Sequence, residues 1–330
     1  MKRLAVVGAG SWGTALAAVL SGRFDRVGLW VFESDLAERM SRTRENDVFL
    51  PGFVLSDNIR PTSHLEEALD QADIVLSVMP SHHVRDVSTR MASLVGRDTP
   101  IVSATKGIEN LSLMRVSEVL GEVLGRPERI SILSGPTFAR EVAQGKPAAV
   151  VIASSNEELA TRIQVAFRGP TLRLYTNSDT VGVEIGASLK NVIAIAAGVC
   201  DGLQLGSNAT AALITRGLAE ITRLAVAMGG KPLTLMGLAG LGDLVLTCTG
   251  QLSRNRTLGQ KLAAGESLQA ILGSTRMVAE GVPTTSAALQ LGQKFHVDLP
   301  IIGQVGAVLN GAITPVEALR ELMYRSLKVE

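Results

Sequence analysis

Three glycines in Gly8-Ala9-Gly10-Ser11-Trp12-Gly13 have the spacing of a phosphate-binding turn. In such a turn the first glycine permits the tight bend, the second lets the backbone approach a pyrophosphate, and the third lets helix and strand pack closely. The helix that follows adds free N–H groups and partial positive charge at its start. Glu33 stands 20 residues past Gly13, where an acid that hydrogen-bonds the adenosine ribose is expected, although an acid ahead of a helix can also be simply solvated.

Two lysines and a basic helix start make a second set of candidates. Lys190 lies in the run from Val183 to Ala197, which is apolar or small nearly all round. A helix of that kind is normally buried, and an ammonium taken out of water costs several kcal/mol unless something compensates it. Lys190 is therefore a functional candidate, unless it occupies a narrow exposed stripe and snorkels to water. Lys106 lies just past one expected strand, and Gly135, Pro136 and Thr137 lie just past another; ligands of parallel sheets sit at the carboxyl ends of strands. A solvated loop residue is the plainer reading of Lys106, but Thr105 and Gly107 on either side suggest a chain packed close to something. The third cluster runs from Gly237 through Asp243 to Leu244 and is followed by Ser253-Arg254-Asn255-Arg256 at a helix start. That start reads equally as a phosphate cradle or as a capped surface helix.

The elements that must position these residues follow from periodicity. Short β-branched runs at Leu4 to Val7, Val27 to Phe32, weakly near Ile59, Asp73 to Val78, Ile101 to Ser103, Ile130 to Leu133, Ala149 to Ala153 and Leu172 to Tyr175 read as strands. Amphipathic stretches between them read as helices: Gly13 to Leu20, Asp35 to Arg42, Leu65 to Leu69, Val84 to Leu94, Leu113 to Leu124, Thr137 to Gln144 and Glu157 to Phe167. Ser63 with Glu66 spells a capping box for the third of these. The alternation is that of βαβ units and a parallel sheet. Beyond about Thr180 only helical patterns with Gly- and Pro-marked turns remain. The expectation is an α/β chain: a Rossmann-like dinucleotide-binding domain over 1–178 and an all-α domain over 179–330 that supplies substrate and catalytic groups.

Composition removes other classes. With 330 residues, 46% hydrophobic and 19% charged, the chain can bury two cores, and 32 Lys+Arg against 31 Asp+Glu leave a charge of +1. That balance, with 3% aromatic residues, argues against a nucleic-acid partner. Cys200 and Cys248 match no metal-ligand spacing and fit a reducing compartment, and the four histidines suggest no metal site. Met1-Lys2-Arg3 ahead of an uncharged stretch with Ala15-Leu16-Ala17 also spells a secretory leader. The three glycines interrupt that stretch, however, and the strand–helix rhythm needs it as its first member. No other uncharged run approaches the roughly 20 apolar residues of a membrane helix.

The motifs together resemble the bacterial NAD(P)-dependent sn-glycerol-3-phosphate dehydrogenases along essentially the whole chain. The residues that carry the likeness are GAGSWGTALA (8–17), SATKGIE (103–109), LSGPTFAREV (133–142), SLKNVIAIAAGVCDGL (188–203), GLAGLGDLVLTC (237–248), SRNR (253–256) and VAEGV (278–282). The resemblance implies reversible hydride transfer between NAD or NADP and C2 of dihydroxyacetone phosphate, giving sn-glycerol 3-phosphate for phospholipid synthesis in the cytoplasm. It implies that Lys190 is the acid and base, that Lys106 and Asp243 contact the substrate and orient Lys190, and that Gly135, Thr137, Ser253, Arg254 and Asn255 complete the substrate site. Ser11, Trp12, Lys106, Ala139, Arg254, Val278 and Glu280 would line the cofactor beside Gly8, Gly10 and Gly13. Relatives usually carry a basic residue two positions after the tryptophan of the second strand; here Trp30 is followed by Val31 and Phe32. Phe32 and Glu33 therefore favour NAD, because an acid there repels a 2′-phosphate, although Arg42 or Arg44 could still reach that phosphate. The partner expected is the small-molecule substrate, with no nucleic acid and no transmembrane segment; a homodimer is one admissible assembly. A related hydroxy-acid reductase would share the fingerprint and a helix lysine but need no Ser253-Arg254-Asn255 clamp, and a non-catalytic cofactor sensor could lose Lys190.

Overall fold

Leu4 to Val7 is apolar at every position because the strand it forms is covered on both faces. The computed structural model describes residues 2–274 and 279–326. Its strands are β1 (Arg3–Val7), β2 (Arg26–Trp30), β3 (Glu45–Asn46), β4 (Leu50–Val54), β5 (Ile59–Thr62), β6 (Ile74–Ser77), β7 (Ile101–Ser103), β8 (Ile130–Ser134), β9 (Ala148–Ala153) and β10 (Leu172–Asn177). Eight of them form one sheet in the order β10-β9-β8-β7-β6-β1-β2-β5. From β1 the chain moves outward to β2 and β5, then returns to β6 on the other side and continues to β7 and β8. The reversal leaves a crevice past the carboxyl ends of β1 and β6, which is where ligands of such sheets bind.

Seven helices accompany the sheet: α1 (Ser11–Leu20), α2 (Ser34–Thr43), α3 (Leu65–Leu69), α4 (Val84–Met91), α5 (Val116–Leu124), α6 (Ala139–Ala143) and α7 (Glu157–Phe167). One sheet face packs Leu4, Val6, Leu29 and Leu76 with Leu16 of α1, and the other packs Ala5, Val7 and Val75 with Val87 of α4 and Leu120 of α5. Each Val or Leu buried in this way contributes about 1.5 to 3 kcal/mol relative to exposure.

Several expectations change on contact with the structure. The sheet is not wholly parallel, since β8 and β9 pair antiparallel. The short α6 stays near the carboxyl ends of the strands and does not carry the chain back across the sheet, so β9 starts where β8 ends. Ser63 and Glu66 make no capping box: α3 is preceded by His64 without a side-chain cap, and Thr62 instead donates to Glu67 and accepts from His64 N–H. The helix expected from Leu113 begins at Val116, because Ile108 and Arg115 close a bridged turn first. The ribbon β3–β4 falls where no element was expected.

Among the described residues no strand follows Asn177. The helices there are α8 (Thr180–Gly202), α9 (Gly206–Ala227), α10 (Pro232–Leu235), α11 (Asp243–Thr249), α12 (Arg254–Ala263), α13 (Leu268–Gly273), α14 (Gly281–Lys294), α15 (Pro300–Leu309) and α16 (Pro315–Met323). The axis of this unit is α8, apolar on most sides because α9, α11, α12, α14 and α15 surround it. It is long and apolar enough to cross a membrane by length and composition, but 89% of its most apolar stretch is buried inside the protein. Where α8 meets α12, a Cβ on Gly198 would lie 1.9 Å from the Arg256 carbonyl oxygen, so only glycine allows that backbone contact.

Candidate active site

The glycine turn sits at the reversal of strand order. Gly8 has φ +113°, and a Cβ there would lie 2.6 Å from the Val78 carbonyl oxygen at the end of β6. A Cβ on Gly13 would lie 1.9 Å from the Gly8 carbonyl oxygen, so α1 starts hard against the turn. Around Gly10 nothing lies within 4 Å of an added Cβ, and Gly10 precedes α1 without a side-chain cap. That open space over uncapped N–H groups fits a pyrophosphate. Asn46, which sequence reasoning missed, supports the turn from the β3–β4 ribbon: its Nδ2 donates to the Ala9 carbonyl and to Thr14 Oγ1, both at 2.8 Å. Ser11 donates to the Phe49 carbonyl on the same ribbon, and the buried indole N–H of Trp12 has no hydrogen-bond partner among the described residues.

At the end of β2, Phe32 is 71% exposed and stacks near His83, and Glu33 is exposed just ahead of α2 with no side-chain cap to its helix. Arg44 does not reach toward this edge, because its guanidinium donates to the carbonyls of Leu55, Ser56 and Ile59. Arg42 is exposed near the end of α2.

The two lysines converge on one carboxylate. Lys106 Nζ donates to Asp243 Oδ2 at 2.7 Å and reaches the Gly135 carbonyl at 3.4 Å. Lys190 Nζ donates to Asp243 Oδ1 and to Thr247 Oγ1. Asp243 is fully buried, Lys190 nearly so and Lys106 slightly open. Burial, with the Lys106 charge adding to it, lowers the Lys190 ammonium from its ordinary value to about 7, against the pull of Asp243. Two cations on one anion leave the cluster net positive, suited to an oxygen that gains negative charge. A single π-helical turn, Leu238–Gly242, delivers Asp243 to the first position of α11; a Cβ on Gly240 would lie 2.0 Å from the Leu235 carbonyl oxygen. Such turns recur at functional sites.

Of the other expected residues, several have their bonds already taken. Gly135 (φ +144°) accepts from Thr137 Oγ1 at 3.1 Å, and Ala139 opens α6, which packs on α1. Ser253 caps α12 by accepting from Arg256 N–H. The Asn255 side chain is a brace, donating to Asn191 and accepting from Gly281 N–H, which ties the start of α12 to the residue after Lys190. Arg254 is exposed and makes no ion pair or hydrogen bond among the described residues. Glu280 accepts from Ser81 Oγ at 3.0 Å, while Val278 lies outside the described residues. Thr247 and Asn191 were missed; both lie on apolar-looking helices and have no spacing signature of their own. Cys248 is buried, its thiol pushed up to about 12, and Cys200 is half-buried. No group of three His, Cys, Asp or Glu side chains is placed to hold a metal among the described residues.

A dinucleotide turn and a buried ammonium in one chain are the equipment of nicotinamide-dependent dehydrogenases, which move a hydride and a proton to and from a carbonyl. Residues 3–160 match the model of the N-terminal domain of NAD-dependent glycerol-3-phosphate dehydrogenase, and residues 179–320 match that of its C-terminal domain. A glycerol-3-phosphate dehydrogenase (NAD(P)+) of Koribacter versatilis is 53% identical over 100% of this chain and 99% of its own length, and one of Geobacter sp. (strain M21) is 52% identical with the same coverage. The crystal structure of glycerol-3-phosphate dehydrogenase from Coxiella burnetii superposes with a TM-score of 0.94 at 40% identity, covering 98% of this chain and 99% of that one. This chain belongs to the NAD-dependent glycerol-3-phosphate dehydrogenase family and is an NAD(P)-dependent oxidoreductase.

Proposed function

We propose that this chain interconverts dihydroxyacetone phosphate and sn-glycerol 3-phosphate in the cytoplasm, at the entry to phospholipid synthesis, with Lys190 as acid and base at the C2 oxygen. The observation that carries this residue assignment is the burial of Lys190 against Asp243, with a second ammonium on the same carboxylate. A nicotinamide, when bound, supplies the hydride on reduction and accepts it on oxidation. Lys190 gives its proton to the C2 oxygen as charge develops there, and takes it back in the reverse direction. A fixed cation at that oxygen stabilises the transition state more than the neutral ketone. Asp243 holds both ammoniums in register, and Lys106 and Thr137 border the substrate. Arg254, which makes no ion pair or hydrogen bond among the described residues, meets the substrate phosphate with the N–H groups at the start of α12. Residues 1–178 hold the dinucleotide and 179–330 supply most of the substrate site. NADH is favoured over NADPH, since Glu33 repels a 2′-phosphate and Arg44 is spent on carbonyls.

The test follows NADH and NADPH absorbance with dihydroxyacetone phosphate and with unphosphorylated dihydroxyacetone. Turnover with the phosphate ester and a much lower kcat/KM with the triose alone is expected. Comparable kcat/KM for the two would remove the phosphate clamp and point to a hydroxy-acid reductase.

A further inference from the structure

Lys106 and Lys190 reach Asp243 from different halves of the chain, and a strap built from residues 106–117 joins those halves. Ile108 leaves the sheet and is buried in the helical core, and its bridge to Arg115 closes the strap on itself. Two residues of α8, two and six positions ahead of Lys190, grip the strap. Ser188 Oγ accepts from Gly107 N–H at 3.0 Å, beside Lys106. Glu184 accepts from Ser117 N–H at 2.8 Å, from Ser117 Oγ at 2.5 Å and from Arg115 Nη1 at 2.6 Å, with Arg115 and Glu184 only 11% and 4% exposed. Behind the strap a Cβ on Gly107 would lie 2.6 Å from Ser81, so the segment has no room to shift that way.

A buried ion pair adds little stability over an apolar pair of the same shape. Its distinguishing contribution is direction, and this one fixes the segment that carries Lys106 onto the helix that carries Lys190. We propose that Glu184 and Ser188 are positioning residues that clamp the 106–117 strap to α8 and thereby keep the Lys106 ammonium on Asp243 opposite Lys190. The proposal rests on the reading of Lys190 as acid and base.

The charged groups facing Lys190 are Asp243 from α11 and Lys106 from the strap. On α12, Arg254 faces Glu280 and Arg256 pairs with Asp201; on α9, Glu220 holds the N–H groups of Ile301 and Ile302; the Cys248 thiol stays neutral. Loosening the strap removes the repulsion of Lys106 and leaves Asp243 to Lys190 alone. Both changes favour the protonated lysine, so its action as a base requires higher pH.

The experiment measures kcat and KM for glycerol 3-phosphate oxidation across pH, cofactor Kd and thermal melting in full-length Ser188→Ala, Glu184→Gln, Arg115→Met and Arg115→Lys. The expected result is a kcat about tenfold lower, with the alkaline rise of kcat displaced upward by about half a pH unit or more and cofactor Kd within about twofold. Arg115→Lys should recover part of what Arg115→Met loses. A lower melting temperature with wild-type kcat and an unmoved pH profile overturns the proposal; Ser188→Ala, which removes a single hydroxyl, carries the test if Glu184→Gln does not fold. Lys190→Ala in the same series separates the two ideas. If it is inactive while the strap variants keep the wild-type limb, only the clamp fails; if it retains kcat, the acid–base reading fails.

Discussion

At the glycine turn the groups offered to a ligand are main-chain N–H donors at the start of α1, within one short run of contiguous residues; at the lysine cluster they are side chains from positions 106, 190 and 243. The turn is set by what is missing, since Cβ atoms at Gly8 and Gly13 would strike backbone. The cluster is set by what is present, and each member is costly without the others. Binding of the cofactor can therefore be written in a local motif, whereas proton chemistry depends on tertiary structure that brings distant segments to one carboxylate.

The sharpest way to break that contrast is Asp243→Asn, which leaves two ammoniums without their anion. Stranding a buried charge costs about 3 to 5 kcal/mol. We expect kcat to fall by roughly 10²- to 10⁴-fold with cofactor Kd little changed, as stopped-flow turnover and fluorescence titration would show. Near-normal turnover would mean that the lysines do not depend on this carboxylate.

Arg254→Ala comes next. Truncating one partner of a charge pair that becomes desolvated on binding costs about 2 to 5 kcal/mol, so KM for dihydroxyacetone phosphate should rise by roughly 30-fold or more. Inorganic phosphate should inhibit the wild type and lose its effect on the variant. A KM that stays put would return Arg254 to the role of a surface residue.

On the glycine side the expected effect is smaller. Gly13→Ala places a methyl where the Gly8 carbonyl oxygen already lies 1.9 Å away, and overpacking of this sort costs about 1 to 3 kcal/mol. Cofactor affinity and melting temperature should fall together while the pH dependence of kcat is unaltered. A shifted pH profile would show that turn and cluster are coupled.

What the sequence made legible follows the same division. The GxGxxG turn, its strand and its helix were readable because their contacts lie within a few residues of one another. Lys190 was readable as an anomaly, a cation on an apolar helix, but its partner could be assigned to Asp243 only through resemblance, because nothing in the spacing of residues 190 and 243 states a contact. Thr247, Asn191, Glu184 and Ser188 were not legible: each owes its role to a partner across the fold. Asn46 lies in a ribbon too short for a periodic signal. Arg44 shows the reverse error, a cation that looked available and is held by three carbonyls.

The smallest expected effect concerns cofactor choice. If Glu33 faces the ribose as proposed, a like-charge contact with a 2′-phosphate, partly screened by solvent, should disfavour NADPH by roughly 1 kcal/mol. Phe32→Arg with Glu33→Ser should move the ratio of kcat/KM toward NADPH by about fivefold or more. A wild-type kcat/KM for NADPH tenfold above that for NADH would show that Glu33 points away from the ribose.

That the buried lysine moves the proton is tested most directly by kcat against pH for Lys190→Ala beside the wild type, with cofactor Kd measured on both. Oxidation of glycerol 3-phosphate needs the neutral amine, so wild-type kcat should rise with pH through the lowered Lys190 value of about 7, and reduction of dihydroxyacetone phosphate should fall over the same range. Lys190→Ala should lose both limbs and roughly 10²- to 10⁴-fold in kcat, and bind cofactor about as well as the wild type. A variant that keeps more than about a tenth of wild-type kcat, or the same pH limbs, would contradict the account, since the proton would then travel through another group.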